Sequence, residues 1–195
     1  MTDLEIAMKN ICVFGSSSEK IDKEYLSTAE SLGKALAQNG LGVIFGAGRY
    51  GVMGAVARGV KAENGTLIGV SPEFFVDMDV LENDCTELII TDTMRERKAI
   101  MEDRADGFVI CAGGIGTFEE FFEVITLKQL GRHSKPIIIY NVNGYYDPML
   151  AMMNSSVKQC FMSDDVNKLY TIANTQEEIF EQLNDYSSFS YNKYD

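Results

Sequence analysis

The sequence predicts a doubly wound α/β fold, with a mostly parallel sheet of about seven strands and helices on both faces. Short apolar runs alternate with longer segments of helical periodicity along the chain. The short runs are almost continuously apolar, which is typical of strands covered on both faces. Glycine-rich turns follow three of these runs and lead into helical segments. This alternation favours crossovers between parallel strands in a Rossmann-like arrangement.

The individual elements follow from the same patterns. Strands are predicted at residues 11–15, 42–45, 67–70, 88–91, 108–111, 137–140 and about 169–173. Helices are predicted at about 22–38, 52–63 and 93–104, from near 116 to about 130, from near 147, and after 174–177. Turn residues mark several ends: Asn39-Gly40 and Asn64-Gly65 stop the first two helices, and Pro148 takes a first-turn position in the fifth.

The length of 195 residues suits one domain with a sizeable core. We expect residues 1–195 to form a single domain whose core covers about 9–184. The residues from about 185 to 195 are polar with interspersed Tyr and Phe. They predict a tail that is loosely held or depends on a partner.

The charge balance restricts the partners of this chain. The formal net charge is −12, which repels the phosphate backbone and makes a nucleic-acid partner unexpected. The negative net charge is still compatible with a small phosphorylated ligand, because a local site at a helix N-terminus can hold one phosphate. No apolar run approaches the length of a membrane span, and the first residues do not resemble a signal peptide. We therefore expect a cytoplasmic protein without a membrane partner.

Cysteine and histidine usage argues against a metal site. Cys12 and Cys111 lie inside apolar runs and are expected to be buried free thiols. The chain has one histidine, His133, and no metal-ligand spacing. Neither a metal nor a disulfide framework is predicted.

Three glycine-rich turns follow predicted strands: Gly15-Ser16-Ser17-Ser18, then the segment from Gly46-Ala47-Gly48 to Gly54, and Ala112-Gly113-Gly114-Ile115-Gly116-Thr117. The simplest interpretation is that the glycines only make tight turns. Their common place at the carboxyl edge of a parallel sheet favours a ligand site, where helix N–H groups face an anion. Thr117 can add a hydroxyl donor.

Two familiar nucleotide-binding signatures do not fit. The GxGxxG pattern at Gly46, Gly48 and Gly51 follows the second strand instead of the first, and no acidic ribose ligand ends the next strand. A nicotinamide-dependent oxidoreductase is therefore a weak alternative. No GxxxxGK[ST] is present, so a P-loop ATPase is not supported.

Charged residues cluster at the same edge. Arg95, Arg97 and Lys98 begin the predicted third helix, where cations oppose the helix dipole and a bound anion would compensate them. A solvated charged face is the alternative. Glu119 and Glu120 begin the fourth helix, where the dipole alone favours them. A carboxylate there could also stabilise an oxocarbenium-like transition state, act as nucleophile or activate water.

Two motifs together resemble the Lonely Guy family. The segment from Ala112 to Glu120 resembles that family's PGGxGTxxE motif, and Met94-Arg95-Glu96-Arg97-Lys98 resembles its companion motif ending in Arg-Lys. Further similar segments are Ile11 to Ser17, Gly51 to Gly54, Gly69 to Pro72 and Asn141 to Pro148. The similarity extends over about residues 9–184.

This resemblance implies a phosphoribohydrolase. Members release the base from cytokinin riboside 5′-monophosphates, and many bacterial members also act on AMP, leaving ribose 5-phosphate. The reaction needs no cofactor and no metal, and members are typically homodimers with sites near the subunit interface. Many were once labelled lysine decarboxylases, but nothing in the sequence supports pyridoxal phosphate chemistry.

The resemblance also implies roles for individual residues. Arg97 and Glu120 correspond to the catalytic pair, with the cation expected to lower the carboxyl pKa. The predicted phosphate site comprises Gly113, Gly114, Gly116 and Thr117, with Lys98 nearby. Met94 is expected to line the base pocket. The nucleotide is expected to be bordered by Gly15, Ser16, Gly46 and Gly48.

Three residues depart from the family pattern. Ala112 replaces the usual proline, Arg95 stands where histidine is frequent, and Ala47 interrupts three glycines, where it could narrow the approach to the ligand. Because Arg97 and Glu120 are intact, hydrolysis is the leading hypothesis. A non-catalytic nucleotide-binding module is the main alternative.

Overall fold

A computed structural model of the chain describes residues 9–189. Its seven strands are β1 (Asn10–Phe14), β2 (Gly42–Phe45), β3 (Leu67–Pro72), β4 (Glu87–Thr91), β5 (Gly107–Ile110), β6 (Ile137–Tyr140) and β7 (Thr171–Ala173). Its α-helices are α1 (Lys23–Gln38), α2 (Gly51–Ala62), α3 (Met94–Arg104), α4 (Ile115–Gln129), α5 (Asp147–Lys158) and α6 (Gln176–Asn184). Short 3-10 helices cover Glu73–Met78, Val142–Gly144 and Asp164–Lys168.

All seven strands pair in parallel in one sheet, in the order β4-β3-β2-β1-β5-β6-β7. The chain builds outward from β1 to β4 and then returns to place β5 beside β1. Phe14 at the end of β1 lies opposite Ile110 at the end of β5. The loops after these two strands therefore leave the sheet side by side, at the switch point where doubly wound folds bind ligands. The predicted fold class is confirmed.

The core has two halves, one on each face of the sheet. Ile11 and Val13 pack on the face covered by α1, α2 and α6, whereas Cys12 and Phe14 pack on the face covered by α3, α4 and α5. This alternation follows from the two-residue period of a strand. Because both faces are covered, the five inner strands are buried almost throughout, whereas the edge strands β4 and β7 are partly exposed.

Element boundaries differ from the predictions at a few points. β3 continues to Pro72 because Ser71 and Pro72 pair with the end of β4. The last strand begins at Thr171 instead of near Leu169, because the 3-10 helix Asp164–Lys168, capped by the Ser163 hydroxyl, precedes it. The three 3-10 helices were not predicted, since their short runs lack a clear period.

The structure also bears on the predicted free thiols, the predicted tail at residues 185–195 and the absence of a predicted membrane span. Cys12 and Cys111 are buried free thiols, as predicted. Within the predicted tail, Phe189 packs against the core, and residues 190–195 lie outside the described part of the chain. Over residues 9–189, no helix combines the length and the apolar character needed to cross a bilayer.

Candidate active site

A cavity of about 320 Å³ opens at the carboxyl ends of the central strands. Its walls come from the loops after β1, β2 and β5, the starts of α3 and α4, and the 3-10 helix Glu73–Met78. The lining residues are Gly15, Ser16, Ser17, Ser18, Gly46, Met53, Phe75, Met94, Arg97, Gly114, Ile115, Gly116, Thr117 and Glu120. Residues far apart in the sequence therefore meet at the switch point of the sheet.

A buried ion pair between Arg97 of α3 and Glu120 of α4 lies in the wall of this cavity. Nη1 of Arg97 donates to Oε1 of Glu120 at 2.8 Å, and both side chains are 10% exposed. Nε of Arg97 donates to the carbonyl oxygen of Val70 at 3.1 Å. The guanidinium is therefore fixed from two sides, as a buried charge requires.

Gly46 leaves room for this guanidinium. A Cβ atom built at Gly46 would overlap with Nη2 of Arg97. The glycine after β2 thus allows the cation to pass close to the backbone. This steric role accounts for glycine at position 46 without invoking a positive φ.

The pKa of Glu120 is shifted in the direction opposite to the one expected from the sequence. Burial raises the pKa of Glu120 above the ordinary value, and the Arg97 guanidinium only partly opposes this effect. The expected net lowering of the pKa was therefore wrong, because removal from water outweighs one neighbouring cation. Glu120 therefore binds its proton more tightly than an exposed glutamate does.

The start of α4 forms another part of the cavity wall. Its N-cap residue, Gly114, offers no side-chain cap, so the amides of the first turn have no acceptor within the helix. A Cβ at Gly114 or Gly116 would meet no atom within 4 Å, which leaves the backbone open to a ligand. Such an arrangement is suited to an anion, since the N–H groups and the helix dipole favour negative charge.

The loop after β1 forms a further part of the cavity wall. The backbone N–H of Ser16 donates to the carbonyl oxygen of Ala112 at 3.1 Å, and the Ser16 hydroxyl accepts from the N–H of Ser18 at 3.0 Å. Gly51, with φ of +62°, lies so close that a Cβ there would be 2.6 Å from the carbonyl oxygen of Ser16. Glycine is required at this contact between α2 and the loop.

Nine of the twelve predicted site residues line the cavity: Gly15, Ser16, Gly46, Met94, Arg97, Gly114, Gly116, Thr117 and Glu120. Gly48 lines an adjoining cavity instead. Gly113 is buried beneath Thr117, where a Cβ would overlap with the threonine hydroxyl. Lys98 is not among the lining residues, because its ammonium group pairs with Glu119 and, at 2.5 Å, with Glu123 on α4.

The structure adds residues that the sequence did not single out for the site: Ser17, Ser18, Met53, Phe75 and Ile115. Phe75 follows the carboxyl end of β3, so its position at the same sheet edge was a usable signal. Ala47, in contrast, is fully buried with φ of +57°, and its side chain points towards Gly69. The expectation that Ala47 narrows the approach to the ligand was therefore wrong.

An apolar cavity of about 230 Å³ adjoins the first one. The two share Ser17, Gly46, Met53 and Phe75, and the second continues to Gly48, Tyr50, Met78, Val80 and Leu81. The site therefore has a polar half at the start of α4 and an apolar half under the 3-10 helix Glu73–Met78.

Across residues 9–189, no group of three His, Cys, Asp or Glu side chains is placed to hold a metal ion.

The fold and the cavity define a Rossmann-like α/β protein with a two-part site built around a buried Arg–Glu pair. Residues 53–183 match a family model described as "Possible lysine decarboxylase". The chain is 36% identical over 178 residues to cytokinin riboside 5′-monophosphate phosphoribohydrolase LOG of Oryza sativa subsp. japonica, covering 91% of this chain and 74% of the relative. It is 32% identical over 186 residues to LOG2 of Arabidopsis thaliana, covering 95% and 87%. The chain belongs to this family, the Lonely Guy family.

Solved structures support the fold. The molybdenum cofactor carrier protein of Chlamydomonas reinhardtii superposes with a TM-score of 0.68 at 21% identity, covering 92% of this chain and 99% of the other. The molybdenum cofactor binding protein of Rippkaea orientalis gives 0.68 at 20% identity, covering 92% and 97%. At this identity the likeness concerns the arrangement of strands and helices.

Proposed function

We propose that this protein hydrolyses the N-glycosidic bond of a nucleoside 5′-monophosphate to a free base and ribose 5-phosphate. The observation that carries the proposal is the Arg97–Glu120 ion pair, buried in the wall of a cavity that the uncapped start of α4 also lines. Family membership supports the same reaction, because the relatives are named for it.

The phosphate of the substrate is proposed to bind at the start of α4. The amides of Ile115, Gly116 and Thr117 lie in the first helical turn, and all three residues line the cavity. These groups replace water around an anion without a cationic side chain. This explains how a protein with a net charge of −12 can bind a phosphate ester.

Glu120 and Arg97 are proposed to act on the ribose. Oε1 of Glu120 accepts from Arg97, whereas Oε2 accepts no hydrogen bond from the residues that the structure describes. An ionised Oε2 next to C1′ stabilises the positive charge that develops as the bond to the base breaks. Water then attacks C1′, and its proton is transferred to the leaving base. A covalent ester between Glu120 and C1′ is the alternative route, which rapid-quench trapping distinguishes.

The apolar cavity is proposed to receive the base and any alkyl group on it. Its walls include Tyr50, Phe75, Met78 and Leu81, which offer aromatic and aliphatic surface but no charge. A prenylated adenine buries more apolar surface here than adenine itself. Cytokinin riboside monophosphates are accordingly proposed as substrates together with AMP, with the prenylated nucleotide giving the lower KM.

Base release tests the proposal. The protein is incubated with AMP and with isopentenyladenosine monophosphate, and free base is followed by chromatography. We expect release by the wild type and a loss of at least roughly 10²-fold in Glu120→Ala. Glu119→Ala is the matched control, because this neighbouring carboxylate is exposed and pairs with Lys98 outside the cavity. Nucleotide binding without release from either substrate would instead support the non-catalytic binding module.

A homodimer is proposed as the assembly, on the basis of family resemblance. Ile115, at the mouth of the cavity, is 83% exposed, and Phe122 on the same helix is 37% exposed. Ile115 and Phe122 are seven residues apart and share one face of the helix, and a contiguous exposed apolar patch is typical of surfaces that bind another chain. Sedimentation equilibrium would give twice the chain mass of 21.7 kDa.

A further inference from the structure

Two adjacent tyrosines contact the glycine-rich loop between β5 and α4 from outside the cavity. The Tyr146 hydroxyl donates to the carbonyl oxygen of Cys111 at 2.7 Å, and the Tyr145 hydroxyl donates to that of Gly113 at 2.6 Å. Between them, the carbonyl oxygen of Ala112 accepts from the N–H of Ser16. Three consecutive carbonyl groups of the loop are therefore each held by a partner from another segment.

These contacts set the direction of the amide groups. Each peptide group is planar, and no cis peptide bond occurs among the described residues, so a fixed carbonyl also fixes the N–H of the next residue. The hydrogen bond from Tyr145 to Gly113 thus orients the N–H of Gly114, which lines the cavity as the N-cap of α4. Glycine has no side chain to restrict its own rotation, so this orientation depends on external partners.

The segment between β6 and α5 holds the tyrosines in place. The Asn141 side chain accepts from the N–H of Tyr146 at 2.7 Å and donates to Oδ1 of Asp147 at 2.8 Å. Asn143 and Gly144 both have positive φ, and they turn the chain sharply enough to present two successive hydroxyls. Burial raises the pKa of Tyr146 above its ordinary value, so its hydroxyl stays a donor.

We propose that Tyr145 is a positioning residue for the phosphate of the substrate. It contacts only the outer side of the loop and acts by holding the Gly113–Gly114 peptide group in the orientation that binds the anion. This inference rests on the proposed function for the identity of the anion. It predicts an effect on ligand affinity and little effect on the chemical step, because Arg97 and Glu120 belong to other parts of the wall.

Tyr145→Phe tests this role, since it removes the hydroxyl and retains the ring. Tyr25→Phe is the matched control. The Tyr25 ring lies edge-on to Tyr145 at 5.8 Å, and within residues 9–189 its hydroxyl makes no hydrogen bond. We expect Tyr145→Phe to raise KM for the nucleotide and Kd for ribose 5-phosphate by about three- to tenfold, with kcat changed less than about twofold. Tyr25→Phe should behave as the wild type.

A Tyr145→Phe protein with unchanged KM and Kd, or with kcat reduced at constant KM, would overturn the inference. Tyr146→Phe provides a second variant, and its KM should also rise because it holds the same loop. The ribose 5-phosphate measurement separates this inference from the proposed function. Weaker binding in Tyr145→Phe without base release from the wild type would reject hydrolysis and retain the positioning role. Failure of the wild type to bind ribose 5-phosphate would reject both.

Discussion

At the scale of single residues, Glu120 is subject to two opposing influences. Burial raises its pKa and Arg97 lowers it, with burial dominant. Since the proposed chemistry needs the ionised carboxylate, activity is present above the raised pKa and is lost as pH falls through it. We expect the acidic limb of kcat/KM to lie above the ordinary glutamate pKa of 4.5. A limb at or below that value would contradict an essential buried Glu120.

Gly46 gives a second test at this scale. The Cβ atom of an alanine at this position would meet side-chain atoms only, the Arg97 guanidinium and the sulfur of Met53. Gly46→Ala should therefore reduce base release at least roughly tenfold, because the guanidinium moves away from Glu120. It should also lose some stability, because the buried ion pair is weakened. Gly54→Ala is the contrasting variant, since its Cβ would overlap with the backbone carbonyl oxygen of Arg49. It should lower the melting temperature clearly more, and equal losses of stability would refute this distinction.

At the scale of elements, Lys98 connects α3 to α4. Its ammonium group pairs with Glu119 and with Oε2 of Glu123. This Oε2 atom is buried, and within residues 9–189 it accepts no hydrogen bond, so the charge of Lys98 is what compensates it. Lys98→Met should destabilise the fold by about 1–3 kcal/mol, because it leaves that oxygen without its cation. Lys34→Met, which breaks an exposed pair with Glu30, should cost less than about 0.5 kcal/mol in urea unfolding.

The same variants decide between two roles for Lys98. The sequence predicted a lysine near the phosphate, whereas the observed pairs place it between two helices. If the ion pairs define its role, Lys98→Met keeps its affinity for ribose 5-phosphate. A tenfold loss of affinity at unchanged stability would restore the predicted phosphate contact.

The elements also show what the sequence could predict. Apolar runs located all seven strands, most clearly the five inner ones, since strands covered on both faces carry an almost unbroken apolar signal. Six of the nine predicted lining residues lie in glycine-rich turns at one sheet edge, whereas Met94, Arg97 and Glu120 were singled out by the family resemblance. Met53 was missed because its role depends on how α2 packs across the cavity, whereas Phe75 was not singled out although it follows the carboxyl end of β3. The pKa of Glu120 was mispredicted because burial depends on the whole fold.

At the scale of the whole molecule, Glu102 makes stability depend on pH. Burial, followed by the nearby Glu123, raises its pKa from 4.5 to about 7. The folded protein therefore binds this proton more tightly, and its contribution to the unfolding free energy falls as pH rises from about 4.5 to about 7. Glu102→Gln should gain stability relative to wild type between pH 5 and pH 8 in urea unfolding. Glu19→Gln, at an exposed position, is the control, and parallel curves for all three proteins would contradict the assignment.

The buried Arg97–Glu120 pair is proposed to make this molecule a hydrolase. The most direct test is to quantify both products, free base and ribose 5-phosphate, from AMP and isopentenyladenosine monophosphate with wild type, Glu120→Ala and Glu119→Ala. The proposed mechanism predicts the two products in equal amounts from the wild type and from Glu119→Ala, and a loss of both in Glu120→Ala. A wild-type protein that binds the nucleotides and releases neither product would contradict it.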